Sequence, residues 1–335
     1  MSKSVRFFEP GRYYEKNRHE ILLEINRVLL AGDLILRGDV DTFEEKLAQY
    51  LGREYVVGLA SGTDALFLSL RCLNIGIGDE VIVPAYSFRA VVEAVHQTGA
   101  KPIIADMGED WRGYKTSKTA AIIPVHMEGR LLNWKSDDAD VHVIEDSCQA
   151  IGAGNVGGKV SCYSFYPAKI LGCYGDGGAI ATDDKRFHDN IRGMRNHYKG
   201  VWAKCGWNSR LDNLQAAILN FKLRELGINL SRRREVASVY TDSLPKGFIR
   251  PPVRTTYQDY VIQLGSNSER EALFEHFNKN GVETMRNEYP FPAGYKKKPR
   301  ASHYEATTLR LPCNEVLPDD DVDHVIKVAN SFTYD

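Results

Sequence analysis

Lys169 closes the run Ser164-Phe-Tyr-Pro-Ala-Lys169 and precedes the glycine-rich stretch LGCYGDGGAI. A lysine set between a strand-like segment and such a turn can be held at a site mouth, its amine partly desolvated and nucleophilic. Asp146 ends the apolar run VHVIED, and Gln149 follows three residues on. A carboxylate directly after a buried strand is costly unless a cation faces it. Ser61-Gly62-Thr63 stands between a strand-like and a helix-like segment. Small residues there let backbone N–H groups approach an anion at a helix N-terminus, and the hydroxyls add donors. Phe88, in Pro84-Ala-Tyr-Ser-Phe88, sets an aromatic ring at another strand end, where it can stack on a flat ligand. Taken singly, each cluster has an ordinary explanation as a surface lysine, a helix cap or a core aromatic. Together, an anion cradle, an aromatic plate, an acid and a lysine are the parts a pyridoxal phosphate site requires. The lysine forms the Schiff base, the acid keeps the pyridine nitrogen protonated, and the helix N-terminus holds the phosphate.

These residues need a scaffold that brings strand ends together. Over the first half, short β-branched runs alternate with amphipathic stretches: YVVGLA, GDEVIVPA, KPIIAD, AAIIPVH and VHVIED read as strands. Several are continuous apolar runs, the mark of strands buried on both faces. SGTDALFLSLRCLNI and FRAVVEAVHQTGA read as the helices between them. This alternation predicts an α/β fold with a mostly parallel central sheet flanked by helices, and open sheets of that kind bind ligands at the strands' carboxyl ends. The second half changes character. Leu211–Leu226 and Arg232–Leu244 read as two long helices, followed by a YVIQL strand and helices at EREALFEHFNKNG and DDDVDHVIKVANSF. The expected organisation is an N-terminal segment (1–30) packing with the small domain, a large domain (31–235) and a smaller α+β domain (236–335).

Composition narrows the function classes. The chain has 335 residues, 43 basic and 44 acidic side chains, and a net charge of −1, so it offers no global basic field for nucleic acid. Arg232-Arg233-Arg234 and Lys296-Lys297-Lys298 read as solvated surface. The first residues lack a signal-peptide pattern, and the apolar stretch from Ile21 to Ile35 is too short and too charged to span a bilayer. The six cysteines form no C-x-x-C pair and no zinc-like spacing, which predicts free thiols, a cytoplasmic setting and no metal site. Gly152-Ala-Gly154-Asn-Val-Gly157 fits the dinucleotide fingerprint, yet it leads into the strand-like GKVSCYSFYP rather than a helix, which argues against such a site.

The ordered set ASGTDALFLSL, GDEVIVPAYSF, GAKPIIAD, AAIIPVHMEGR, VIEDSCQAIGA, SFYPAKILGCYGDGGAI, RNHY and NSRLDNLQAAIL covers about residues 30–225. It resembles the DegT/DnrJ/EryC1/StrS sugar aminotransferases, pyridoxal-phosphate enzymes of the aspartate-aminotransferase-like fold (fold type I). The resemblance implies that Lys169 is the Schiff-base lysine and general acid/base and that Asp146 pairs with the pyridine nitrogen. It places Gln149 near the cofactor's ring oxygen, Phe88 on the ring, and Gly62, Thr63 and Ser164 at the phosphate. Asn208 matches an asparagine that reaches the phosphate of a neighbouring subunit, which implies a homodimer with shared sites. His197 and Tyr289 match segments near the sugar. The implied reaction moves an amino group from an amino acid, glutamate foremost, to a keto group of a nucleotide-linked sugar in deoxyamino sugar or polysaccharide biosynthesis. Pyridoxamine 5′-phosphate then serves the second half-reaction. A related dehydratase group carries histidine at the lysine position, which Lys169 argues against. A non-catalytic regulatory or structural role would not require Asp146, Gln149 and Lys169 together. The chain is shorter than the family pattern between Asp106 and Ile122 and between Gly129 and Val141, so crossover helices there are expected to shrink to loops. In EYPFPAGYKKKPR (288–300), Ala293-Gly294 stands where the family carries a histidine.

Overall fold

Strand β1 (Tyr55–Leu59) follows helices α1 (Pro10–Lys16), α2 (Arg18–Ala31) and α3 (Gly38–Leu51). Then come α4 (Gly62–Cys72), β2 (Glu80–Pro84), α5 (Ala90–Gln97), β3 (Lys101–Ala105), β4 (Thr119–Ile122), β5 (His142–Asp146), β6 (Val160–Ser164), β7 (Gly178–Thr182) and α6 (Lys185–Met194). The computed structural model describes residues 4–154, 157–201, 204–250, 255–296 and 298–333. Two residues of the fingerprint-like glycine segment, Asn155 and Val156, and Lys297 of the lysine cluster lie outside that set.

The large sheet runs β1-β7-β6-β5-β4-β2-β3. All its strands are parallel except β7, which lies antiparallel to both β1 and β6. Every residue of β2 and of β7 is buried, as continuous apolar runs require. The glycine-rich stretch after Lys169 therefore ends in a strand, GAIAT, whose small residues hid it in the sequence. Gly178 is required there because a Cβ would stand 2.3 Å from the Ser61 carbonyl, where α4 begins.

The two shortened crossovers are loops with single 3₁₀ turns at Trp111–Tyr114 and Met127–Gly129. Indoles do the covering that helices would do. Trp111 and Trp134 pack against Ile82, Ala105, Ile122 and Val141, and Trp111 Nε1–H donates to Lys135 O at 3.0 Å.

The second half begins with α7 (Asn213–Ser243), one helix of 31 residues rather than the expected two. Gly227 costs about 1 kcal/mol relative to alanine in a helix interior, but buried side chains on both flanks hold the helix continuous. Leu219, Leu226 and Leu230 join the core under the large sheet, and Val236, Ala237 and Tyr240 join the second core. The chain continues through β8 (Tyr260–Gln263), α8 (Asn267–Lys279), β9 (Met285–Arg286), α9 (Pro299–Thr307), β10 (Thr308–Leu311) and α10 (Asp319–Asn330). These strands form an antiparallel sheet in the order β8-β10-β9. Val5 pairs alongside Val282, and Arg12 bonds Asp321, so the first residues dock on this C-terminal unit. Among the described residues no helix is long and apolar enough to cross a membrane.

Candidate active site

Helix α4 starts against the end of β6. The Ser61 hydroxyl accepts the Asp64 N–H at 3.1 Å, a regular N-cap, which leaves the Gly62 and Thr63 N–H groups at the helix mouth. A Cβ on Gly62 would stand 2.7 Å from Cys148 Sγ and 2.8 Å from the Ser164 Cβ. Glycine is thus what lets the positive end of the helix touch Ser164. Two N–H groups without a partner among the described residues, beside two hydroxyls, are able to cradle a phosphate.

Lys169 follows from a tight turn, its N–H donating to Tyr166 O at 2.8 Å. The glycine-rich stretch folds beneath that turn, where a Cβ on Gly172 would lie 2.5 Å from Pro167 O. Gln258 clamps the lysine's backbone from the other side. Its Nε2 donates to Ala168 O at 2.8 Å and its Oε1 accepts the Ile170 N–H at 3.2 Å. Arg233, far from solvated, is buried. It donates to the carbonyls of Tyr257, Gln258 and Cys313 and pairs with Glu315 at 2.7 Å, fixing the segment that carries Gln258.

Asp146 is buried at the end of β5 and accepts the Cys148 N–H at 3.0 Å. Among the described residues it has no ion-pair partner, so its charge is open to a cationic ligand atom. Burial first, and then the Asp146 charge, push the Cys148 thiol well up, so that it stays protonated. Below lies His126, whose Nδ1 accepts the Leu132 N–H at 3.1 Å. Its Nε2 therefore carries the proton and donates to Glu145 at 3.1 Å. Gln149 accepts the Glu128 N–H at 2.8 Å. Glu128, at φ 60°, joins Tyr86, Asn287 and Arg130 in one buried network that links the two sheets' loops.

Gly62, Thr63, Phe88, Asp146, Gln149, Ser164, Lys169 and Tyr289 all line one cavity of about 680 Å³. Phe88 is half-exposed and meets the Tyr289 ring edge-on at 6.3 Å. Burial pushes the Tyr289 hydroxyl up, so it remains protonated. Asn208 and His197 do not line this cavity. Both are exposed on a hairpin-like return in which Asn196 bridges Asn208 and the His197 N–H donates to Trp207 O at 3.2 Å. The adjacent Ser209 is buried and donates to Asp64 at 2.6 Å, which ties that return to the start of α4. Gln258, Arg310 and Glu128 were not singled out by sequence reasoning. Of the three, Arg310 alone carries a local mark in the sequence, as a lone arginine between the leucines of the TLRL run.

The profile of the DegT/DnrJ/EryC1/StrS aminotransferase family matches residues 15–329. The chain is 35% identical to the dTDP-3-amino-3,6-dideoxy-alpha-D-galactopyranose transaminase of Aneurinibacillus thermoaerophilus, across 98% of this chain and all of the relative. It is also 35% identical to the UDP-2-acetamido-2-deoxy-3-oxo-D-glucuronate aminotransferase of Pseudomonas aeruginosa, across 86% and 87% of the two chains. Among solved structures, Streptomyces venezuelae DesV in complex with a ketimine intermediate superposes with a TM-score of 0.87 at 32% identity, across 98% of each chain. The match runs through the segments that carry Gly62, Asp146 and Lys169, and the chain belongs to the DegT/DnrJ/EryC1/StrS aminotransferase family.

Proposed function

We propose that this aminotransferase moves an amino group from an amino acid, glutamate foremost, to a keto group of a nucleotide-linked sugar, with Lys169 as acid/base and Asp146 as ring-nitrogen partner. The observation that carries the reading is the convergence of Lys169, Asp146 and the α4 N-terminus on one cavity. The cofactor is pyridoxal 5′-phosphate, with pyridoxamine 5′-phosphate serving the second half-reaction. When bound it supplies an electron sink for the carbon that loses its proton.

The donor set fits that group: the N–H groups of Gly62 and Thr63 with the Ser164 hydroxyl for the phosphate, and Asp146, without an ion-pair partner among the described residues, for a protonated ring nitrogen. Phe88 offers its ring face and Gln149 stands at the ring's edge. Asp146, buried and held by the Cys148 N–H, keeps the ring-nitrogen proton in place. Lys169 carries the reacting proton. Its amine takes one from the donor's α-carbon in the first half-reaction and delivers one to the sugar's keto carbon in the second. The Gln258 clamp fixes the backbone from which that amine swings. Asn208 of a second copy completes the phosphate cradle in a homodimer working in the cytoplasm; Tyr289 contacts the sugar from within the cavity, and His197, which like Asn208 lies outside its own chain's cavity, reaches it from that second copy. The relatives' names support the nucleotide-sugar class.

The test is a yellow holoenzyme that bleaches with glutamate and recovers its colour with a nucleotide-linked keto sugar. Borohydride reduction before peptide mapping should label Lys169. A label on another lysine would overturn the assignment.

A further inference from the structure

Besides the phosphate cradle and Lys169, the cavity is lined by residues of the small sheet and its loops, Asp259, Met285, Glu288, Tyr289 and Arg310. Leu309 and Leu311 turn into the second core, so Arg310 between them projects from the other face of β10. There its guanidinium lines the cavity while only 11% of the side chain is exposed. Among the described residues three cationic side chains line the cavity: Lys169, Arg233 and Arg310. Lys169 is committed to the chemistry, and Arg233 to three carbonyls and Glu315.

Arg310 is only partly used. Its Nη1 donates to Asp259 at 3.3 Å, a long single contact rather than a bidentate one, and its Nη2 donates to Arg286 O at 3.1 Å. Among the described residues its Nε–H is buried without a partner. The plane lies over the Tyr289 ring, 5.4 Å from its centroid, and Tyr289 in turn meets Phe88. Asp259 directly follows Gln258, the residue that clamps Lys169. The guanidinium is therefore one ring away from the aromatic plate and tied to the lysine's own support.

A buried guanidinium with spare donors costs stability unless a ligand uses it. The cavity lining also carries Asp146, Asp176, Asp259 and Glu288. An anionic substrate entering such a cavity needs a cation, and Arg310 is the one left. We propose that Arg310 is the receptor for a substrate carboxylate, held in orientation by Asp259. A planar fork presenting parallel N–H groups suits a carboxylate better than a hydroxyl or a keto oxygen. The proposal rests on the transamination reading. The same chemistry has two sources, a carboxylate of the amino-acid donor and the carboxylate of a uronic-acid sugar.

The experiment compares the wild-type holoenzyme with Arg310→Gln and Arg310→Lys. Glutarate, which has two carboxylates and no amine, is titrated calorimetrically at fixed salt. The cofactor's visible absorbance and the melting temperature report an intact site. Arg310→Gln should weaken glutarate binding about 10- to 100-fold, the scale of one charge-assisted pair, and Arg310→Lys should fall between. In single turnovers the half-saturating glutamate concentration should rise by the same factor, with the limiting rate changed far less. Glutarate binding left unchanged, with selective loss of a nucleotide-linked keto uronate over its hydroxymethyl counterpart, would assign the receptor to the sugar. Unchanged binding of both classes in both variants overturns the proposal. If no amino acid bleaches the wild-type holoenzyme, the transamination reading fails. The glutarate titration, which needs no turnover, still decides the role of Arg310.

Discussion

Asp146 shows how one carboxylate acquires a role from its surroundings. A buried acid at the end of a strand faces a desolvation cost, and here no cationic side chain among the described residues forms an ion pair with it. The charge is left for a ligand. Asp146→Asn keeps the shape and can still accept the Cys148 N–H, but it cannot hold a proton on a ring nitrogen. Turnover should fall by roughly 10²-fold or more, the scale of losing one preorganised electrostatic partner. The same substitution has a second readout that does not depend on turnover. Burial and the Asp146 charge together hold the Cys148 thiol above its ordinary range. Removing the negative neighbour lets that value fall, so at any alkaline pH more thiolate is present. In the apoenzyme, alkylation of Cys148 at about pH 9 should therefore be faster in Asp146→Asn than in the wild type. Equal alkylation rates would mean that burial alone sets the thiol, and unimpaired turnover would remove Asp146 from the ring partner's role.

At the scale of elements, the stretch from the end of α6 to the start of α7 is positioned by a buried ion pair. Arg195 and Glu44, 3% and 5% exposed, join α6 to α3, and both also bond the backbone of Gly58 in β1. The partly exposed Arg192 reaches the other Glu44 oxygen at 3.1 Å. Arg195→Ala leaves Glu44 buried with one exposed partner, a loss of about 3 kcal/mol at the lower end of the range for broken buried pairs. In a domain of this size that is a fall of roughly 6–12 °C in melting temperature. Arg192→Ala should cost under about 1 kcal/mol. Equal shifts in the two variants would show that the buried contact has no special weight. Thermal unfolding followed by circular dichroism separates the cases.

The same elements show what the sequence reveals and what it conceals. Strands β1 to β5 stand out because their apolar runs are local, and so does each side chain that ends one of them, Asp146 included. Strand β7 is hidden because GAIAT is made of small residues, whose value lies in the close approach of α4 rather than in bulk. The continuity of α7 is hidden because Gly227 interrupts the stripe, while the contacts that override it come from two distant cores. Gln258 bonds residues 90 and 88 positions away. No spacing rule within one segment reports such a clamp.

For the whole molecule, the question is what completes the phosphate cradle. Within one chain Asn208 stands outside the cavity, exposed, while the neighbouring Ser209 is locked to the start of α4. A polar side chain held on so firm a ledge could serve a second copy, as the proposed homodimer requires. Apolar surface nearby points the same way. Leu30, Leu34 and Ile35 are exposed, Leu30 at 89%, and Ile35 bridges Asp212 just beyond Asn208. If a two-fold axis passes there, each site takes its lysine from one chain and its asparagine from the other. Lys169→Ala and Asn208→Ala, each severely impaired alone, should then complement when mixed and allowed to exchange subunits. In the mixed dimer one site inherits both lesions, and the other has an intact lysine facing an intact asparagine. Activity should recover toward about half per mixed dimer, since one of two sites is whole. Exchange is verified independently by mass-tagged subunits. If tagged heterodimers form and no activity returns, Asn208 acts within its own chain, and the two-fold sharing is wrong.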